Sequence, residues 1–454
     1  CLIERDQLCS GDTKSTTAHL SYVTDKRLTK LVSTFGKEGA KLAWQGGAAA
    51  INTIEQIMAG EEIDCHFRRV PGYLHAALDG TKDESDDLRT EADLARKLGF
   101  DANFEVAVPE VGKPGIRFAN QAKFHPLRYL SALAKAFVEK GGEIYEQTEA
   151  AEFAEAPRTV TANGKKIECD YIVIATHVPL LGETGVASGA LFQTKLASYT
   201  SYVIGARIPK GRIAEASFWD TADPYYYLRI DQGETNDYAI FGGQDHKTGQ
   251  ASDGEARFSD LEKHLKALIP EAEFNYRWSG QVVETDDGLP FIGETAKRQF
   301  AATGFSGNGM TFGTLAAMMA CDAATGRVNA WQELLDVSRK KLNSTWELLA
   351  ENIDYPYYLV RDLVTRAKLK SVDAIGRGEG AVLKVNGKQA ACSRDLQGNI
   401  HCVSAVCTHM GCIVNWNSVE KSWDCPCHGS RFDPSGAVLA GPAETALEKI
   451  DPNN

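Results

Sequence analysis

At 454 residues the chain is long enough for two to four domains with well-buried cores. Lys and Arg total 49 against 61 Asp and Glu, a formal net charge of −12, which argues against a nucleic-acid or anionic-membrane surface. Hydrophobic residues make up 43% of the sequence without a run of about eighteen, so no membrane span is expected. Cys1, Cys9, Cys65, Cys169 and Cys321 are scattered, which reads as reduced thiols in a cytoplasmic protein.

The chain opens Cys1-Leu2-Ile3-Glu4, an apolar run ending in an acid, followed by the polar loop Ser10-Gly11-Asp12. The second strand of a dinucleotide-binding βαβ unit ends in this way, with the acid on the ribose hydroxyls, although any strand end reads alike. The Gly-rich fingerprint would lie about 20 residues earlier, ahead of residue 1. Thr16-Thr17-Ala18-His19 is expected to open a helical stretch through residue 60. Residues 65–74 alternate as a strand would, and 83–98 form a charged amphipathic helix. Residues 124–130 lead into a helix ending at Gly141-Gly142, and 143–148 return as a strand. Residues 170–176 read as a buried parallel strand, and 196–246 as several strands rich in tyrosine. Residues 304–313 form a Gly-rich loop ahead of an apolar helix over 314–324. Its amides can approach an anionic or electron-rich ligand, although a tight turn before a core helix has the same composition.

Three segments carry the most specific signal: Trp278-Ser279-Gly280, the run Asp287-Gly288-Leu289-Pro290-Phe291-Ile292-Gly293, and Ala302 through Thr311. In this order, with the earlier segments, they resemble the FAD-dependent D-amino-acid oxidase/glycine oxidase superfamily from residue 1 to about residue 345. The resemblance implies an α/β FAD-binding fold with an interleaved mixed-sheet substrate domain. The FAD-binding part would comprise 1–75, 143–190 and 285–330, and the substrate part 76–142 and 191–284. It also implies FAD contacts at Glu4, Ser10, Gly11, Thr17, Ala175, Gly307, Gly309, Met310 and Thr311. Tyr225, Tyr227, Arg229 and His246 would lie on strands facing the flavin's reactive side, with Arg229 a candidate for gripping a carboxylate in bidentate fashion. Ordinary strand tyrosines, a surface arginine and a buried histidine remain the alternative for those four.

Residues 331–352 and 357–370 are polar and helical in pattern, giving a packed helical connector over 346–372. From 373 to 454 the pattern changes to short strands, with Asn386-Gly387 a strong hairpin signal. There the chain reads Cys407-Thr408-His409-Met410-Gly411-Cys412 and then Cys425-Pro426-Cys427-His428-Gly429-Ser430. One Cys and one His from each of two loops suit a [2Fe–2S] cluster with two thiolates on one iron and two imidazoles on the other. A Cys₂His₂ zinc site uses the same residue types but usually keeps like ligands together.

This stretch resembles the Rieske family, a small antiparallel all-β domain. The resemblance implies Cys407, His409, Cys425 and His428 as cluster ligands and a Cys412–Cys427 disulfide. It further implies a hydroxyl donor at Ser430, Phe432 where a tyrosine donor is usual, and a covering loop at Gly441-Pro442-Ala443. Together the two resemblances imply flavin-dependent oxidation of a small amine or amino acid, with electrons passed singly through the cluster to an external acceptor. A non-enzymatic Rieske carrier with a flavin-free docking domain is the alternative. A Rieske oxygenase would need a closely spaced histidine pair on a second iron, and His66 and His75 are nine apart.

Overall fold

The computed structural model describes residues 1–155, 157–179, 195–339 and 371–451. A nine-stranded mixed sheet dominates it. Its order is Glu273–Thr285, Leu196–Pro209, Asn236–Lys247, Tyr227–Asp231, Ser217–Asp220, Arg68–His75, Gly115–Lys123 and His19–Leu20, with Ala102–Glu105 paired to Gly115–Lys123. Only Ser217–Asp220 against Arg68–His75 is parallel among these pairings. A smaller layer holds the parallel pairs expected of a dinucleotide fold. Leu2–Ile3 lies beside Ile144–Tyr145, and Ile172–Ile174 beside Gln299–Thr303.

Two long helices pack where the chain reads as small and apolar. Leu28–Gly60, broken by a kink at Gly36 where φ is 71°, lies against Gly309–Ala324, and Gly46 and Gly47 make the approach possible. A Cβ on Gly47 would fall 2.8 Å from the Tyr22 Cα, and one on Gly46 would fall 2.9 Å from Leu315. Trp44 fills the space beside them, edge-on to Phe100 and Phe118.

Several sequence expectations shift. The first long helix begins at Leu28, because the β-branched Thr16-Thr17 segment instead leads into strand His19–Leu20, paired to Lys123 and Ala122. The Gly-rich loop is shorter than expected, since Gly309 already has helical backbone. Within 331–352, the described helix is Gln332–Leu335, and residues 346–370 of the expected connector lie outside the described residues.

The C-terminal part is two antiparallel sheets, Gly380–Val385 with Lys388–Arg394 and Ile400–Ser404, then Asn415–Asn417, Ser422–Asp424, Arg431–Phe432 and Val438–Ala440. Asn386 and Gly387 both take positive φ, 52° and 81°, as a two-residue primed hairpin turn requires. Cys392 and Cys402 face one another across this sheet and are disulfide-bonded, a pairing the cysteine spacing did not suggest.

The Asp287-Gly288-Leu289-Pro290 segment earns its residues by an ion pair. Asp287 receives Arg339 through Nε at 2.9 Å and Nη2 at 2.8 Å, and the guanidinium also donates to the carbonyls of Leu289 and Pro290. Gly288 turns at φ 80°, where a Cβ would strike Lys26 at 2.5 Å. Both charges are buried, so removing one strands the other. Asp287→Ala should destabilise the flavin-side fold by about 3–5 kcal/mol in denaturant unfolding.

Candidate functional site

A cavity of about 1600 Å³ runs between the parallel layer and the large sheet. Glu4, Ser10, Gly11, Thr17 and Ala175 line it on one side and Gly307, Gly309 and Met310 on another. Glu4 sits at the end of its parallel strand, and its carboxylate accepts from the Asp6 amide at 2.9 Å. Gly309 opens the helix Gly309–Ala324, and a Cβ there would meet nothing within 4 Å. Thr311 is the exception among these residues. The third residue of that helix, it is fully buried beside Gly47 and does not line the cavity. Trp278 and the following residues hold the wall opposite. Trp278 donates to the Ser15 carbonyl at 2.8 Å, and the Gln281 amide donates to Asp12 at 2.7 Å.

The large sheet closes the far end with Tyr225 and Tyr227, and Gly242 makes room for the Tyr227 ring, which a Cβ would meet at 2.2 Å. The Tyr227 hydroxyl lies 3.1 Å from Ser201 Oγ, and burial pushes its pKa up. Arg229 does not reach the cavity. It is buried, its fork is bidentate to Asp231 at 2.9 and 2.6 Å, and its third nitrogen donates to the carbonyls of Thr17 and Ala18. Asp231, which burial alone would raise, is held at about 2 by Arg229 and Lys123. A guanidinium so engaged has no fork left for a substrate carboxylate.

His246 also turns away, and the reason is a β-bulge. Thr200 pairs with His246 while Tyr202 pairs with Gly243, so Gln244 and Asp245 together oppose Ser201. The extra residue reverses the alternation. His246 stacks on Tyr202 at 5.7 Å, and Asp245 lines the cavity instead. The sequence reading missed Asp245, since a bulge has no period-two signature, and Asp25, which lies in the irregular segment ahead of Leu28. Asp25 accepts from the Gly307 amide at 2.7 Å and from Tyr225, tying the glycine loop to the sheet. Burial raises Asp25, and it raises Asp245 to about 7. His19, also in the cavity wall, is edge-on to Tyr227 and held neutral by burial, with a pKa of about 3.

The two cysteine–histidine loops share one backbone design. Cys407 N–H donates to the Cys412 carbonyl and Gly411 N–H to the Cys407 carbonyl. Cys425, Ser430 and Gly429 repeat both bonds. Gly411 and Gly429 turn at φ 81° and 76°, which glycine supplies without strain. The Cys412–Cys427 disulfide joins the loops, the Cys407 and Cys425 thiols adjoin, and the His409 and His428 rings lie 4.9 Å apart. The Cys425 thiol foremost, then the His409 and Met410 amides and the Ser430 hydroxyl, lower Cys407 to about 7 against its burial. The sulfurs of Cys412, Cys425 and Cys427 also cluster within 4.8 Å, but two of them are spent in the disulfide.

The second loop is seated on the large sheet. Gln281 Nε2 donates to the Gly429 carbonyl at 2.8 Å, Gln250 to the Pro426 carbonyl at 3.0 Å, and Asn415 to the Gly249 carbonyl at 2.8 Å. Gln281 also lines the cavity, as do Gly441 and Ala443 of the loop after the last strand.

Comparison with known proteins agrees with both halves of this geometry. Residues 1–323 match the family model described as FAD dependent oxidoreductase, and residues 365–451 the Rieske [2Fe-2S] domain. The chain belongs to the FAD dependent oxidoreductase family. A Bacillus subtilis (strain 168) relative named as a Rieske 2Fe-2S iron-sulfur protein, YhfW, is 33% identical over 99% of this chain and 88% of its own. The cytochrome b6-f complex iron-sulfur subunit 1 of Nostoc sp. is 53% identical over 10% of this chain and 25% of its own. In structure, this FAD dependent oxidoreductase resembles glycine oxidase from Geobacillus kaustophilus, with TM-score 0.59 at 18% identity over 74% of this chain and 91% of that one. L-Proline dehydrogenase from P. horikoshii gives TM-score 0.58 at 15% identity over 74% and 90%.

The oxidoreductase part binds FAD and the Rieske domain a [2Fe–2S] cluster. The residues present fit both groups. The cavity is roomy enough for a dinucleotide and reaches the Gly307 and Gly309 backbone, and two adjoining buried thiols and two imidazoles 4.9 Å apart sit on the two loops the disulfide joins. Among the described residues no helix is long and apolar enough to cross a membrane. Ser430 both donates to the Cys407 sulfur and accepts from the Ala443 amide at 3.0 Å, whereas the buried Phe432 has no hydroxyl to offer. Ser430→Ala should therefore lower the cluster potential in redox titration by about 20–65 mV, the one-electron equivalent of a ~0.5–1.5 kcal/mol hydrogen bond.

Proposed function

We propose that this chain oxidises a C–N bond of a small amine or amino acid and passes the electrons singly, through its Rieske centre, to an external acceptor. The observation that carries the reading is Gln281, which lines the flavin cavity and donates at 2.8 Å to Gly429 of the cluster loop. One side chain thus touches both redox compartments. FAD supplies acceptance of two electrons with a hydride and their release one at a time, and the cluster supplies a one-electron carrier.

The chain's own residues do the rest. Tyr225 and Tyr227 wall the substrate end and exclude water, and Asp25 fixes the Gly307 amide against it. Glu4, Ser10, Gly11, Thr17, Ala175, Gly307, Gly309 and Met310 are the contacts we assign to FAD. Cys407, His409, Cys425 and His428 are the ligands we assign to the cluster. A substrate amine must be neutral to lose its α-hydrogen, and a cavity carboxylate near neutrality, Asp245, suits it to hold the departing proton. We also read residues 373–454 as the electron-transfer domain, with the division of 1–345 into flavin and substrate parts as set out from the sequence.

His428→Ala, which removes one ligand, separates the two steps. Anaerobic bleaching of the flavin band by substrate should persist within about twofold, while turnover with a one-electron acceptor falls about a hundredfold or more, the scale of losing a metal site. Equal turnover with and without the cluster would remove the Rieske domain from the electron path.

A further inference from the structure

The substrate end of the cavity is built for positive charge. Asp245 stands where the bulge turns it inward, surrounded by protein, with Oδ1 shielded from solvent and hydrogen-bonded to nothing. The Ser201 hydroxyl and the Arg257 charge favour its carboxylate, and Arg257 does not line the cavity. Asp25 shares the cavity and disfavours ionisation of Asp245, and His19 is held neutral by its burial. The two cations buried behind this wall are already balanced, Arg229 by Asp231 and Lys123 by Asp231 and Glu215.

Among the described residues the cations lining the cavity are Arg5, Lys26, Arg27 and Lys30. Arg27 holds Glu91 at 2.5 Å, Lys26 donates to the Asp286 carbonyl at 3.1 Å, and Arg5 donates to the Leu439 carbonyl at 2.9 Å. Lys30 lies on the solvent-exposed first turn of its helix. A buried carboxyl oxygen without a partner is costly, and an incoming ammonium relieves that cost by a charge-assisted hydrogen bond. A substrate carboxylate would meet the opposite: two acids and no open fork.

We infer that the site takes an amine lacking a carboxylate, with its ammonium bound by Asp245, and that α-amino acids are excluded by Asp245 and Asp25 together. The inference rests on the C–N oxidation proposed above and narrows its substrate class. Asp245 is then a specificity-determining residue as well as the acceptor of the substrate's proton.

A pair of tert-butyl probes of opposite charge tests it without turnover. Tert-butylammonium has no hydrogen on the carbon bearing nitrogen, so it binds without being oxidised, and pivalate is its carboxylate counterpart. Each is titrated into the anaerobic holoenzyme and read by the shift of the visible flavin bands. Tert-butylammonium should bind about tenfold or more tighter than pivalate, and Asp245→Asn should abolish about tenfold or more of that affinity. Tighter binding of pivalate to the unaltered protein overturns the inference, as does undiminished binding of tert-butylammonium to Asp245→Asn. Primary amines should then bleach the flavin where glycine and proline do not, and bleaching by the amino acids alone would also overturn it. If no amine or amino acid bleaches the flavin, the proposed reaction fails, while the two probes still report on charge selection by the site.

Discussion

The arrangement depends on one close backbone approach. The loop carrying Cys425 and His428 lies against Gly249 so tightly that a Cβ there would fall 2.7 Å from the Cys425 carbonyl carbon. Gly429 meets the sheet in the same way, with a Cβ position 2.4 Å from the Ser198 side chain. Backbone contact at this range leaves hydrogen bonds from Gln250, Gln281 and Asn415 to fix the register of one part on the other. The sheet that walls the flavin cavity therefore also seats the cluster loop. Gly411, the counterpart of Gly429 in the first loop, has nothing within 4 Å of its Cβ position. The two glycines share a turn, and only one of them also serves the seat.

Charge is divided along the same sheet. Behind it, Arg229, Lys123, Asp231 and Glu215 neutralise one another and hold strands together. In front of it, Asp25 and Asp245 face the cavity with their pKa values raised by burial. Buried ion pairs of the first kind are structural, because breaking one strands a charge. Perturbed carboxyls of the second kind, in a cavity beside a glycine loop, mark chemistry.

What the sequence disclosed followed from local rules. The Cys-x-His and Cys-x-x-His loops carry thiol and imidazole close in sequence, so spacing alone located the two loops, and Asn386-Gly387 specified its own turn. The place of Glu4, Ala175, Gly307, Gly309 and Met310 in the cavity wall was legible because strand ends and a helix start set where backbone borders a cavity. The substrate end was not, because it is fixed by register between distant strands. The resemblance put His246 facing the flavin, and the bulge opposite Ser201 sets Asp245 in the cavity instead. Arg229 misled for a related reason, since its partner two residues away on the same strand takes the fork a substrate would need. Thr311 fell two positions inside a helix that begins earlier than its composition suggested. Cys392 and Cys402 became partners only once the strands paired.

The central claim is that the flavin site and the cluster work as one unit within a chain. Rapid anaerobic mixing of the holoenzyme with a reducing amine, followed at the separate flavin and cluster bands over a wide range of protein concentration, tests it most directly. With the cluster loop seated as described, the cluster should be reduced after the flavin at a first-order rate that does not change with protein concentration. A rate of cluster reduction that climbs in proportion to protein concentration would mean that electrons travel between molecules, and would contradict it.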